Sequence, residues 1–307
     1  MDTETLSLFV DVFRHGSFAA VARDRNRAPS SISRAISSLE EELGVRLFQR
    51  TTRRLSPTEA GQLYFSRVEP LVEALDGARE AALDLEETPR GTVRLTAPVS
   101  FAQQNLIPHL GAFTQQYPRV RLELMLTDAR VDLLAQRMDM AIRLGQLEDS
   151  SLIARRLCSM RYVVCASPTY LKRDGIPKTP QDLANHRCLT FPLPGVGPTW
   201  RFRRNEAEAA RTIDVSGPLS ISNALALRDA ALAGIGVTLL ATWVAGQALH
   251  SGELVDLFPG WEVTGTGFGS AAWLIVPSRD YVPLKVRAVQ TFLSALFQGG
   301  PPAAQGL

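Results

Sequence analysis

Between Pro29 and Leu43 apolar residues recur at Ile32, Ile36, Leu39 and Leu43, the period of one helix face. Pro29 suits a first helical turn, where its missing N–H has no intrahelical role, and Gly44 suits the left-handed position after the last turn. The other face carries Ser30, Ser31, Ser33, Arg34, Ser37 and Ser38, with no carboxylate before Glu40. Upstream, Leu6, Phe9, Val10 and Phe13 mark a helix over about Thr5–Arg14 that Gly16 stops. Ser17 can cap a short alanine-rich helix over about Phe18–Arg25, and Asn26-Arg27 turn the chain into the serine-rich helix. A short helix, a tight turn and a second helix with a polar outer face form a helix-turn-helix. Val45–Leu55 then reads as two short strands joined by a polar turn, a wing presenting Arg50, Arg53 and Arg54. Pro57 ends the wing. A long helix is expected over about Thr58–Glu86, with Leu63, Val68, Leu71, Leu75, Ala78, Ala82 and Leu85 near a 3.5-residue period. Such a stripe on a protruding helix is most economically covered by a second copy of the chain.

After Thr88-Pro89-Arg90-Gly91, which reads as a linker, the periodicity changes. Strands are expected over Thr92–Thr96, Val120–Leu126, Met138–Ile142, Arg161–Cys165, Val237–Leu240 and Trp273–Val276. Helices are expected over about Gln103–Tyr117, Val131–Gln136, Asn223–Ala233 and Lys285–Leu296. Alternating strands and helices imply a mostly parallel, doubly wound sheet. The signals weaken between about Ser167 and Gly265, which suggests a second subdomain entered and left by two crossings, with a cleft between the lobes. Ala230–Leu249 is uncharged and long enough to span a bilayer, but Gly234, Gly236, Thr238 and Thr242 break it. It reads as helix, turn, buried strand, helix. The Gly/Pro/Ala-rich tail after Gln298 is expected to be disordered.

Composition narrows the function. With 45% hydrophobic and 21% charged residues the chain has an ordinary globular balance, and its net charge of +2 requires any nucleic-acid surface to be local. Three cysteines, Cys158, Cys165 and Cys188, form no C-x-x-C pair, so neither a disulfide framework nor a zinc site is expected. A redox role for them is left open. The four histidines show no ligand spacing, and no nucleophile elbow, phosphate loop or dinucleotide fingerprint is present. No catalytic residue, metal or cofactor is expected. The acidic N-terminus lacks a signal-peptide core, so the expected location is the cytoplasm.

These residues resemble the LysR-type transcriptional regulators. The resemblance runs through Phe9-Val10, Gly16–Ala22 (GSFAAVA), Ile32–Arg50 (ISRAISSLEEELGVRLFQR) and Glu59-Ala60-Gly61. It continues through Ala97–Phe101 (APVSF), Asp139–Gly145 (DMAIRLG) and Val163–Leu171 (VVCASPTYL). It implies an α/β chain with an N-terminal all-α winged helix-turn-helix over 1–57 and a dimerising linker helix and hinge over 58–91. A two-lobed effector domain similar to periplasmic binding proteins follows over 92–297, with lobe I about 92–166 and 266–297 and lobe II about 167–265. Residues 298–307 are the expected disordered tail. It further implies a homodimer or homotetramer on a partly palindromic promoter site, a small-molecule co-inducer between the lobes, and RNA polymerase as a partner if the protein activates. Two positions depart from the pattern: Ala28, where the family often places a hydroxyl cap, and Ala241, where it usually has proline.

The expected DNA-binding residues are Pro29, Ser30, Ser31, Ser33 and Arg34 on the helix and Arg50, Arg53 and Arg54 on the wing. The guanidinium of Arg34 suits guanine, and the wing suits phosphate or the minor groove. Ser100, Phe101, Thr127 and Arg143 follow or end strands whose C-terminal ends face one cleft, where ligands bind in open α/β sheets. One cation, one hydroxyl and a helix N-terminus suit a small carboxylate. The resemblance adds Asn223 and Pro192 across that cleft. The residues alone leave a second reading open, a solute-binding or enzymatic α/β domain with an appended helical segment. Sequence-specific DNA binding separates the two.

Overall fold

The computed structural model describes residues 2–50, 55–84, 88–129, 131–146, 153–192, 198–277 and 281–304. The chain divides into two compact units: Met1–Arg90 with Val131–Asp139 and Pro277–Arg287, and Gly91–Arg130 with Met140–Val276 and Ala288–Leu307.

The first unit opens with α1 (Thr3–His15), α2 (Phe18–Asp24) and α3 (Pro29–Leu43). Asp2 and Ser17 cap the first two helices by accepting from Thr5 and Ala20 N–H groups. Asn26 takes a left-handed backbone (φ 51°) in the turn before α3, a conformation asparagine tolerates better than most residues. Gly44 (φ 68°) ends α3 as its sequence implies. The wing is β1 (Phe48–Arg50) antiparallel to β2 (Leu55–Pro57). Phe9, Ile32, Ile36, Leu39, Leu47 and Phe48 are fully buried together, and the long helix α4 (Glu59–Leu83) closes over them with Val68 and Val72. Gly61 is where α4 meets the wing: a Cβ there would stand 2.1 Å from the Leu47 carbonyl oxygen.

The expected α4 stripe therefore divides. Val68 belongs to the helix-turn-helix core, whereas Leu63, Leu71 and Leu75 are 64%, 60% and 50% exposed, with Ala78 and Ala82 exposed beyond them. Leu85 lies outside the described residues. Residues 131–139 and 281–287 pack with this unit. Asp84 accepts from the Tyr281 hydroxyl (2.5 Å) and the Leu284 N–H (2.7 Å), and Lys285 pairs with Glu80 (2.7 Å).

The second unit has two sheets. In the first, β3 (Gly91–Ala97) lies parallel to both β4 (Val120–Leu126) and β5 (Met140–Gly145), and β14 (Ala271–Val276) joins β5 to β6 (Ile153–Ser159). The second sheet is built on β7 (Tyr162–Ala166) and β11 (Val237–Ala241), antiparallel to one another, with α7 (Pro168–Asp174) following β7 in the chain and β8 (Cys188–Leu189), β9 (Thr199–Arg203), β10 (Arg211–Asp214) and β12 (Val255–Asp256) in the same sheet. β7 pairs with β11 from Tyr162 to Cys165. β13 (Glu262–Thr264), which pairs with β7, is followed along the chain by β14 of the first sheet.

Several local expectations change for identifiable reasons. The helix expected over 103–117 starts earlier, as α5 (Val99–Asn105). It breaks into a 3₁₀ turn at Ile107–His109, where Pro108 removes a donor, and resumes as α6 (Leu110–Gln116). Residues 131–136 form turns, closed by Gln136 N–H to the Asp132 carbonyl (3.1 Å), not a helix. β6 has no expected counterpart: its Arg155 and Arg156 are exposed on a sheet edge. α8 (Ala224–Leu232), β11 and α9 (Thr242–His250) reproduce the expected helix, strand and helix across the uncharged stretch. No helix among the described residues is long and apolar enough to cross a membrane. The tail is not wholly irregular. Pro302–Ala304 make a 3₁₀ turn, and the Ala303 N–H donates to Asn105 Oδ1 (3.2 Å).

Gly61→Ala should destabilise the helix-turn-helix by about 1–3 kcal/mol, because the new methyl group forces α4 off the Leu47 carbonyl. Denaturant titration of the wild type and variant measures the change.

Candidate functional site

The outer face of α3 is open along Pro29, Ser30, Arg34 and Ser38, while Ser31, Ser33 and Ser37 are half-buried. Ala28 supplies no side-chain cap. Instead the Ser31 hydroxyl donates back to the Ala28 carbonyl (2.7 Å), which leaves the hydroxyl oxygen as an acceptor. Ser37 donates to the Ser33 carbonyl (3.0 Å), and Arg34 Nε lies 3.3 Å from the Ser30 carbonyl, so the guanidinium runs back along the helix toward its N-terminus. Glu40 does not stand as a solvated acid at the far end. Its Oε1 accepts from the Leu47 and Phe48 N–H groups (2.8 and 3.0 Å) and pins the start of the wing to α3. Nothing local distinguishes Glu40 from the adjacent Glu41 and Glu42, so the sequence carries no sign of this role. Arg50 closes β1 opposite Leu55. Its side chain, and the whole of Arg53 and Arg54, lie outside the described residues.

In the second unit the parallel pairing of β3 with β4 and β5 brings three strand ends to one sheet edge. The Thr127 N–H donates to the Ala97 carbonyl (3.0 Å), the Val99 N–H to Asp128 Oδ1 (3.2 Å), and Arg143 Nη1 to the Ala129 carbonyl (3.3 Å). Ser100, Thr127 and Arg143 are thus gathered at the C-terminal edge of this sheet. Ser100 is 4% exposed, and its hydroxyl has no hydrogen-bond partner among the described residues. The same is true of Thr96 Oγ1 on β3 and Trp243 Nε1 on α9. Phe101 is fully buried, edge-on to Trp243 (5.4 Å between centroids) and stacked on Phe297 (5.5 Å). It is therefore a core ring and not an open aromatic surface. Asn223 is the cap of α8, accepting from the Leu225 and Ala226 N–H groups (3.1 and 3.0 Å), and Pro192 is exposed. Thr96 and Trp243 escape a sequence reading because each fits an ordinary core position, and only the orphaned polar atom distinguishes them.

Neither unit presents metal or thiol chemistry among the described residues. No cluster of metal-ligating side chains is present, and all three cysteines are buried and unpaired. Burial pushes the Cys158 thiol up to about 11 and those of Cys165 and Cys188 to about 12.

The architecture is that of a DNA-reading head joined to a two-lobed ligand-binding domain. The sequence matches the bacterial regulatory helix-turn-helix protein, lysR family, over residues 3–62 and the LysR substrate binding domain over residues 86–298. It is 36% identical to the HTH-type transcriptional regulator PtxR of Pseudomonas aeruginosa over 92% of this chain and 89% of that one. It is 32% identical to the transcriptional activator AaeR of Escherichia coli over 95% and 93%. Among solved structures it is similar to CrgA of Neisseria meningitidis (TM-score 0.59, 32% identity, 96% of this chain and 98% of that one). It is likewise similar to the full-length Vibrio cholerae virulence activator AphB (TM-score 0.63, 28% identity, 96% and 99%). The chain belongs to the LysR family of transcriptional regulators, DNA-binding proteins with an effector-binding domain and not enzymes.

With thiols titrating at about 11 and above, on the order of one in a thousand or fewer is ionised at pH 8. The folded protein should resist a thiol-reactive dye for as long as it stays folded and expose three reactive thiols on denaturation. A fast-reacting thiol in the native protein would contradict this.

Proposed function

We propose that this regulator reads its operator with Ser30, Ser31, Ser33 and Arg34 in the major groove. Pro29 starts the helix there, and Arg50, Arg53 and Arg54 of the wing meet the backbone or minor groove. The open face of α3 supports this reading, since its one cation is a planar fork on a surface otherwise made of small hydroxyls. Arg34→Ala should weaken specific binding by about 1–3 kcal/mol and relax preference at one base position. Arg53→Ala should instead lower specific and non-specific affinity together and flatten the salt dependence. Footprinting and titration on the protein's own upstream DNA at several salt concentrations separate the two. An unchanged footprint and affinity in Arg34→Ala would reject the helix assignment.

The effector is a small carboxylate held between the lobes by Ser100, Thr127 and Arg143, with Phe101 behind it and Asn223 and Pro192 on the facing lobe. The observation that carries this is the buried Ser100 hydroxyl, which has no partner among the described residues and lies at the same sheet edge as Arg143. A buried donor left unpaired costs about 1–3 kcal/mol, and a carboxylate oxygen would satisfy it. A ligand regulates only if it prefers one lobe arrangement. Calorimetry with a panel of small aliphatic and aromatic carboxylates should find a binder whose affinity falls at least tenfold in Ser100→Ala and in Arg143→Ala. Equal affinity in both variants would place the ligand elsewhere.

The exposed Leu71 and Leu75 of α4 are the seam of a dimer, and two such dimers make a tetramer. Leu71→Asp would bury a carboxylate in that seam, so it should shift the protein to monomer in sedimentation and abolish the paired footprint. A variant that sediments as wild type would exclude this seam.

A further inference from the structure

Asp11 lies on α1, in the first unit, with its side chain only 5% exposed, and two arginines from distant stretches share it. Arg25, the residue that ends α2, donates through Nε to Asp11 Oδ2 (2.9 Å) and through its other end to the Ser7 hydroxyl. Arg137 grips the carboxylate from the other side, with Nε on Oδ1 (2.9 Å) and Nη2 on Oδ2. One turn along α1, Arg14 reaches the Leu134 carbonyl (3.5 Å) while it pairs with Glu69 and Glu73 of α4 (2.6 and 2.8 Å). The tight turns of 131–139 are thus fastened to the α1–α4 surface at two points. Arg137 has a left-handed backbone (φ 51°), unusual for a residue with a long side chain and sustained where surrounding contacts fix it.

We propose that Arg137 is a positioning residue for the reading head: through Asp11 and Arg25 it sets the turn that aims α3. The proposal rests on α3 being the DNA-reading helix. Arg25 heads the Arg25-Asn26-Arg27 turn, where the Arg27 N–H donates to the Ala22 carbonyl (2.8 Å), and that turn fixes the angle at which α3 leaves α2. Arg25 shares its carboxylate with Arg137, so its seat depends on where Arg137 holds Asp11. Taking away one cation leaves Asp11 paired with Arg25 but free to rotate, because Oδ1 has lost its charged donor in a buried place. The domain stays folded and its aim changes. Arg137 also stands six residues before Arg143 on the same stretch of chain, so a residue coded within the effector domain takes part in DNA reading.

The test uses the full chain and its own upstream DNA, without any effector, so a failure of the carboxylate reading leaves it intact. Arg137→Gln should lower specific affinity at least fivefold, leave binding to random-sequence DNA unchanged, and keep the wild-type salt slope, since no phosphate contact is lost. Arg137→Lys, which keeps a point charge beside Asp11, should recover part of the loss. Asp11→Asn and Arg137→Gln should combine with less than additive effect, because both remove one interaction. The proposal is overturned if Arg137→Gln binds its operator as wild type does, or if its salt slope falls by about one phosphate. Identical defects in the lysine and glutamine variants, or fully additive effects with Asp11→Asn, would also overturn it. If Arg137→Gln does not fold, a folded Arg137→Lys decides the question: specific affinity below that of the wild type, with random-sequence binding and salt slope unchanged, supports the proposal. Wild-type operator affinity in that lysine variant, with wild-type amide exchange across α2 and its turn, overturns the proposal. An α3 that proves not to read DNA would show up separately, as an unaffected Arg34→Ala.

Discussion

The reading head depends on a single apolar seam. Phe9 of α1, Ile32 and Ile36 of α3, Phe48 of the wing and Val68 of α4 converge on it. Burial of large apolar side chains contributes about 1.5–3 kcal/mol each, far more than the caps and surface pairs around them. α3 can therefore present a face of small hydroxyls that contributes little to its own stability. The same seam explains the glycine at position 61, since α4 can reach the core only by passing against the Leu47 carbonyl.

The second unit rests on a different constraint, the parallel register of β3 with its two neighbours. Parallel strands end together, so Ala97, Leu126 and Gly145 deliver Ser100, Thr127 and Arg143 to one edge although they come from separate stretches of sequence. The ladder satisfies the backbone as far as the edge. At that edge the Val99 N–H bonds to Asp128 and Arg143 to the Ala129 carbonyl, and the hydroxyls of Thr96 and Ser100 have no partner among the described residues.

What could be read from sequence was what local chemistry decides. Pro29 and Gly44 bracket α3 because each has a backbone preference independent of the rest of the fold. The strand–helix alternation after Gly91 is likewise local, and so is the serine–arginine face. What could not be read was decided by partners far along the chain. β7 joined the second sheet because β11, seventy-odd positions later, pairs with it. β6 was invisible because an edge strand with outward arginines lacks the apolar alternation of a central one. Of the candidate site, the placement of Arg34 on an open helix face and of Ser100 just after a strand follows from local pattern. Trp243 resembles any core aromatic, Glu40 any surface acid, and the meeting of Arg137 with Asp11 spans 126 residues without a local sign.

α4 faces two ways: Val68 and Val72 inward to the reading head, Leu71 and Leu75 outward. Both faces ride on one continuous helix, which behaves as a shaft that turns by about 100° and advances by about 1.5 Å with each residue. The angle between a head and its outward leucines is therefore set in steps, not continuously. Adding or losing one residue between Val72 and Leu75 would swing the head by more than a quarter turn while leaving its core intact. Where two heads must meet DNA grooves about one helical repeat apart, such a swing cannot be absorbed by side-chain adjustment. The number of residues in this stretch of helix is then a dimension matched to the geometry of the double helix, as binding as the identity of any side chain that touches a base.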